Sequence, residues 1–179
     1  RRIGCLAVPD HDVNIGILRK EGYFAALKEN GIEIDPSLVV TGDFEYPSGE
    51  RGASALMERP GERPTAIYCI TDRLAVAACG WLKRHGYNVP GDVSVACIDD
   101  PELLSYCYPT VTTMSFDYQT TGVHAGQMII DCIDGKAQAS AGIVMPFTMQ
   151  VRESTFRPNS RNLANKAAKS TLKAKGQPA

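Results

Sequence analysis

Two adjacent carboxylates, Asp99 and Asp100, terminate the most apolar run in this chain, which contains Val93, Val95, Ala96, Cys97 and Ile98. An apolar strand flanked by helical patterns reads as the centre of a parallel sheet. Ligands of open α/β sheets sit just beyond the carboxyl ends of such strands, so the acid pair stands where that architecture binds. Capping of the turn that begins at Pro101 would account for one Asp well and for two less well. A ligand role for the acid pair is therefore placed ahead of capping.

The same rim gathers more polar and aromatic residues. Asp10 and Asp12 follow the first strand-like run, Asp43 and Phe44 the second, and Thr71 and Asp72 the third. Arg19 can join them from the first turns of its helix. Acids that accept hydroxyl hydrogen bonds, an aromatic face and a guanidinium make a site for a small polyhydroxylated molecule. Each has a plainer reading too: Arg19 as a surface arginine, Phe44 as core, and Asp10-His11-Asp12 as a solvated turn rather than a metal site. Neither G-x-G-x-x-G nor G-x-x-x-x-G-K-[ST] occurs, which removes the common nucleotide signatures, and no G-x-S-x-G elbow suggests a hydrolase. The histidines His11, His85 and His124 lack ligand spacing to one another. No cofactor, metal or catalytic residue is expected.

Strand and helix patterns alternate, as a parallel sheet flanked by helices requires. Strands are expected at 3–8, 38–41, 65–70, 93–98, 111–114 and 144–151. Helices are expected at 14–30, with Leu18, Tyr23, Ala26 and Leu27 on one face, at 47–58, at 73–85 with Asp72 as N-cap, and at 117–133, with a short one at 101–106. The helix at 73–85 and the segment 103–108 carry apolar residues beyond what one buried face needs, which predicts a contact with a second copy.

At 179 residues with 44% hydrophobic content the chain is an ordinary globular protein, long enough for one core or two small lobes. It opens on Arg1 and runs straight into a strand, which predicts a processed form or a fragment. Its six cysteines form no C-x-x-C pair, so reduced thiols and a cytosolic setting are expected. The net charge of -1 hides an asymmetry. Six basic residues and no acids lie between Arg157 and Ala179, leaving 13 basic against 20 acidic residues, a net of -7, elsewhere. Such a body is a poor DNA surface, and the basic end reads as a solvated, flexible extension over 159–179.

Six segments, in order, are similar to those of one known family: Arg19 to Leu27 (RKEGYFAAL), Pro64 to Ile67 leading to Thr71-Asp72, Val89 to Val95 (VPGDVSV), Ile98-Asp99-Asp100, Pro109 to Thr113 (PTVTT) and Arg152 to Thr155 (REST). Together they resemble the lactose/galactose repressor family of bacterial transcription regulators, from Arg1 to about Pro158. The resemblance implies a periplasmic-binding-protein-like fold of type I and an effector-sensing role. Residues 1–112 and 143–158 would form the C-terminal lobe, while 113–142 would belong to the other lobe, most of whose sheet is missing here.

By the same resemblance, Arg19 and Asp99 match effector-binding positions, Phe44 a pocket aromatic, and Phe116 and Tyr118 positions facing the cleft from the other lobe. Thr71, before Asp72, stands where many members carry Asn, offering a hydroxyl but no amide. The partners implied are a sugar-like or purine-like effector, a second copy through 73–85 and 103–108, and operator DNA through a helix-turn-helix headpiece absent from this chain. Two other classes are weighed against this one. An exported solute-binding protein of the same fold is disfavoured by the thiols. A metal-dependent enzyme or receiver domain using Asp99 and Asp100 lacks the extra acids and partner lysine it would need.

Overall fold

The computed structural model describes residues 2–136 and 142–156. Its centre is a six-stranded sheet in the order β2-β1-β3-β4-β5-β6. The strands are β1 (Ile3–Ala7), β2 (Val39–Thr41), β3 (Ala66–Cys69), β4 (Ser94–Ile98), β5 (Thr112–Phe116) and β6 (Phe147–Gln150). All adjacent pairs are parallel except β5 and β6, where Thr113 faces Gln150 and Phe116 faces Phe147. The expected α/β sheet is present, and its last strand is shorter than the 144–151 run predicted.

β-branched and thiol side chains fill the strands because both faces of a parallel sheet are covered in a folded protein. One face carries α2 (Tyr46–Met57) and α3 (Asp72–Arg84). Leu6, Leu56, Leu74, Leu82 and Val95 are buried in the core. Gly49 makes the crossing of these helices possible: a Cβ there would lie 2.5 Å from the Leu74 carbonyl and 2.8 Å from the Ala77 methyl.

The opposite face carries α1 (Arg19–Glu29) alone. Tyr23 and Leu27 of α1 are buried, while Leu18 and Ala26 of the expected apolar face line an open groove. That groove, about 700 Å³, runs between α1 and the sheet residues Ile3, Tyr68, Ile98 and Met114. α4 (Tyr118–Ile133) buries none of its residues, and Val123, Ile129, Ile130 and Ile133 are exposed.

Three local expectations change. The first helix is not uniform from residue 14: a wide, π-type turn spans Val13–Leu18 and α1 proper starts at Arg19. Asp72 is not an N-cap; Thr71 holds that place, without a side-chain cap bond, and Asp72 opens the helix, where its charge suits the dipole. Finally, α3 does not present two free apolar faces. Leu74, Ala77, Cys79 and Trp81 are buried within this chain, Trp81 stacking on His85 and Tyr87, while Val76 is only partly buried. Leu103, Tyr106 and Tyr108 remain exposed.

Five of the six thiols are wholly or partly covered. Cys5, Cys69, Cys79 and Cys97 are buried, Cys107 is half-buried and Cys132 is exposed. Burial pushes the Cys5, Cys79 and Cys97 thiols up to about 12, and Cys69 well above its ordinary value. All four are small apolar core groups.

Candidate functional site

Asp99 is the last polar stop of β4 and the only non-glycine residue with positive φ among the described residues, at 75°. Asp tolerates this left-handed backbone better than most residues because its short side chain bonds locally. The peptide is held on both sides: Asp99 N donates to the Met114 carbonyl at 3.0 Å, and the Thr113 hydroxyl donates to the Asp99 carbonyl at 2.6 Å. That twist turns Asp99 and Asp100 to different partners.

Asp99 meets Arg19. The Arg19 Nη1 donates to Asp99 Oδ2 at 2.8 Å and to the Ile70 carbonyl at 2.8 Å, while Nη2 reaches Asp99 Oδ1 at 3.3 Å. Their side chains are 19% and 23% exposed, so the pair is shielded yet reachable. The Tyr118 hydroxyl donates to Asp99 Oδ1 at 2.7 Å. Desolvation, followed by this bond to a carboxylate, pushes the Tyr118 phenol up to about 12, so it stays a donor across the neutral range. Phe116 lies beside it, ring centroids 6.4 Å apart.

Arg19 owes its position to Gly16. The turn that leads into α1 passes so close to the loop after β1 that a Cβ on Gly16 would lie 2.2 Å from the Pro9 carbonyl oxygen. Asp12 caps the turn by accepting from Ile15 N at 2.9 Å. Asp12 is therefore a cap and not a rim ligand, and Asp10 pairs with Lys20. Asp43 is likewise occupied: it accepts from the Ser48 hydroxyl and from Glu45 N, bonds that hold its carboxyl below the usual range. Phe44 is half-buried against the core.

Thr71 ends the strand beside Asp99's own. Its hydroxyl is buried and has no hydrogen-bond partner. An unmet buried hydroxyl costs free energy unless something satisfies it. Asp72 follows it and lies near enough to push the Tyr118 phenol in the same direction as Asp99 does. Arg19, Asp99 and Tyr118 are thus in direct contact, with Phe116 beside Tyr118; Thr71 and Asp72 begin the next helix, and Phe44 stands on the loop after β2.

Asp100 does not cap the following turn; no side chain caps the short helical turn at Glu102–Ser105. Its partner is Arg152, a residue that motif reading placed in the family pattern without a role. Arg152 Nη1 and Nη2 donate to the two Asp100 oxygens at 2.8 and 3.0 Å. At 52 positions apart, the two carry no local signal of their pairing in the sequence.

A mostly parallel sheet with helices on its faces and an arginine–carboxylate pair beyond its strand ends is an open α/β domain. The family described as a periplasmic binding protein-like domain matches residues 1–155, and the chain belongs to it, in the branch formed by the lactose/galactose repressors. It is 32% identical over 155 residues to the HTH-type transcriptional repressor CytR of Escherichia coli K12, covering 87% of this chain and 45% of that protein. Against the HTH-type transcriptional regulator GalR of the same organism it is 30% identical over 158 residues, covering 88% and 46%. The solved structure of a transcriptional regulator CelR–cellobiose complex superposes with a TM-score of 0.79 at 32% identity, covering 86% of this chain and 46% of that one. The chain spans about half the length of the curated relatives it matches.

Proposed function

We propose that this chain is the effector-sensing part of a bacterial DNA-binding transcription regulator, taking a small polyhydroxylated molecule at Arg19, Asp99 and Tyr118. The observation that carries the reading is the shielded fork between Arg19 and Asp99, with the phenol of Tyr118 on the same carboxylate. Ligand hydroxyls can donate to the remaining lone pairs of Asp99 and accept from Arg19, while the unmet Thr71 hydroxyl offers a further bond. Phe116, Asp72 and Phe44 complete the proposed lining. The names of the relatives support the class: two are helix-turn-helix regulators and a third is seen with cellobiose.

Residues 1–112 with 143–158 would form one lobe and 113–142 part of the other. The bare surface of α4 supports that division; residues 137–141 and the basic stretch from Arg157 onward lie outside those described. Tyr118 is then the contact that joins the lobes, and an effector that bonds it together with Asp99 favours one lobe arrangement. DNA binding would reside in a helix-turn-helix unit outside this chain, and a cytoplasmic setting follows from that role.

Titration calorimetry of the protein against a panel of sugars, cellobiose included, and purines tests the reading. Binding of at least one member that is lost in Arg19→Met supports it; binding that survives Arg19→Met unchanged would refute the site. An enzyme or receiver reading is disfavoured because Asp99 and Asp100 turn to Arg19 and Arg152 and share no site. An exported solute-binding protein would need the same pocket, and its distinguishing mark is a signal sequence in place of a helix-turn-helix unit.

Self-association belongs to the same proposal, with a changed basis. Because α3 is buried by its own chain, the contact is assigned to Leu103, Tyr106 and Tyr108 with the exposed edge of α3. Lys83 packs over the Tyr108 ring at 4.8 Å and ties the two segments together. Sedimentation of a Leu103→Asp/Tyr108→Ser variant should show the dimer dissociating at least tenfold more readily; an unchanged dimer would place the contact elsewhere.

A further inference from the structure

We infer that Arg152 is a positioning residue for the effector site: it clasps the returning end of the chain onto the loop that holds Asp99 in its left-handed conformation. The inference rests on the proposed effector role of Asp99. Arg152 lies two residues past β6, where the chain comes back from the α4 segment. It is anchored through both its side chain and its backbone. Its guanidinium grips both oxygens of Asp100 and also donates to the Val111 carbonyl at 2.8 Å, and its backbone N donates to the Thr112 hydroxyl at 2.9 Å. The two charged side chains are only 18% and 14% exposed, so the fork is well screened from water.

Asp100 is the residue that the twist at Asp99 must deliver. A left-handed backbone at a residue other than glycine is costly and persists only where its surroundings over-determine it. Here those surroundings are the bonds from Thr113 and to Met114 on the Asp99 peptide, and the Arg152 fork on the next side chain. Remove the fork and Asp100 is left charged and largely shielded from water without its guanidinium partner, which its loop relieves by turning Asp100 toward solvent. Asp99 then loses the register that aims its carboxylate at Arg19 and Tyr118. Because Tyr118 follows β5 and Arg152 follows β6, the clasp also ties the chain's departure to the α4 segment and its return from it to the same pair of aspartates.

Amide hydrogen exchange resolved by residue tests this without any ligand. In Arg152→Met the Asp99 amide is expected to exchange at least tenfold faster relative to that of Ile67 in the core, and Arg152→Lys should recover part of the protection. Arg2→Met, which breaks the Arg2–Asp35 pair at the other end of β1, serves as control: it should leave the ratio unchanged. If Asp99 exchange rises only in step with Ile67, or equally in Arg2→Met, Arg152 is a general stabiliser and the inference fails. Cellobiose titration adds the second readout, an affinity loss of about tenfold in Arg152→Met. A wild-type protein that binds no sugar or purine would count against the effector reading alone, since exchange decides the clasp by itself.

Discussion

Asp99→Asn is expected to weaken effector binding about ten- to a hundredfold while leaving the fold intact. A hydrogen bond to a charged acceptor is worth about 1.5–3 kcal/mol, which sets that range. Asn is the replacement that isolates the charge, since it has almost the same size and is itself enriched in left-handed conformations. The geometry adds a second arm to the experiment. Asp99 accepts two bonds from Arg19 through its two oxygens, so the neutral amide, with a single acceptor oxygen, also gives up one of these bonds and the charge pairing, while the Ile70 carbonyl is unaffected. Arg19→Lys should fall in the same affinity range, because an ammonium cannot serve the carbonyl and both carboxylate oxygens in one plane. The double variant should lose less than the sum, as the residues act through one contact. If calorimetry gave unchanged affinity for Asp99→Asn together with a lower melting temperature, the residue would be structural and the site misassigned.

Gly16→Ala is expected to destabilise the protein by about 1–3 kcal/mol, toward the upper end, since the obstacle is backbone and not a mobile side chain. The added methyl meets the Pro9 carbonyl oxygen at 2.2 Å and its carbon at 2.9 Å. The turn must lift off the loop, and Arg19 stands less than one helical turn further on. Thermal unfolding should fall by roughly 2–4 °C per kcal/mol for a chain of this size. Effector affinity should fall as well, which separates this variant from an ordinary core lesion such as Leu56→Ala, whose effect is confined to stability. A Gly16→Ala protein with wild-type melting would mean that the approach relaxes freely and that the glycine does not set the arginine.

The alternation of strands and helices was legible because the central strands β1, β3 and β4 are largely apolar runs with turn residues nearby, and periodicity is a local property. That Asp99 stands on the rim was legible from the position of an acid beyond an apolar strand, and its contact with Arg19 joins two residues that the family motifs single out, their role in binding being the proposal above. The other rim acids misled because one residue type serves two physical ends: Asp12 and Asp43 stand in the right place for a ligand and spend their oxygens on local backbone and hydroxyl donors. The apolar richness of α3 has a source within the chain as well, since a helix that packs on both a sheet and a neighbouring helix buries more than one face. Arg152 was missed because its partner is distant in sequence, and the relevant signal, one arginine and one of two adjacent aspartates, has no period. The wide turn at Val13–Leu18 follows from a close approach between two loops, which no propensity encodes.

The silent thiols give the molecule an internal clock. Alkylating reagents attack thiolate, and a thiol that is both enclosed and held near 12 offers almost none at neutral pH. Cys132 is expected to react at once and Cys107 more slowly, whereas the buried Cys5, Cys69, Cys79 and Cys97, spread over β1, β3, α3 and β4, should react only when the packing around them opens. The rate at which mass spectrometry sees those four labels arrive therefore counts openings of the core, with no introduced probe, and an effector that binds the closed protein would slow all four together.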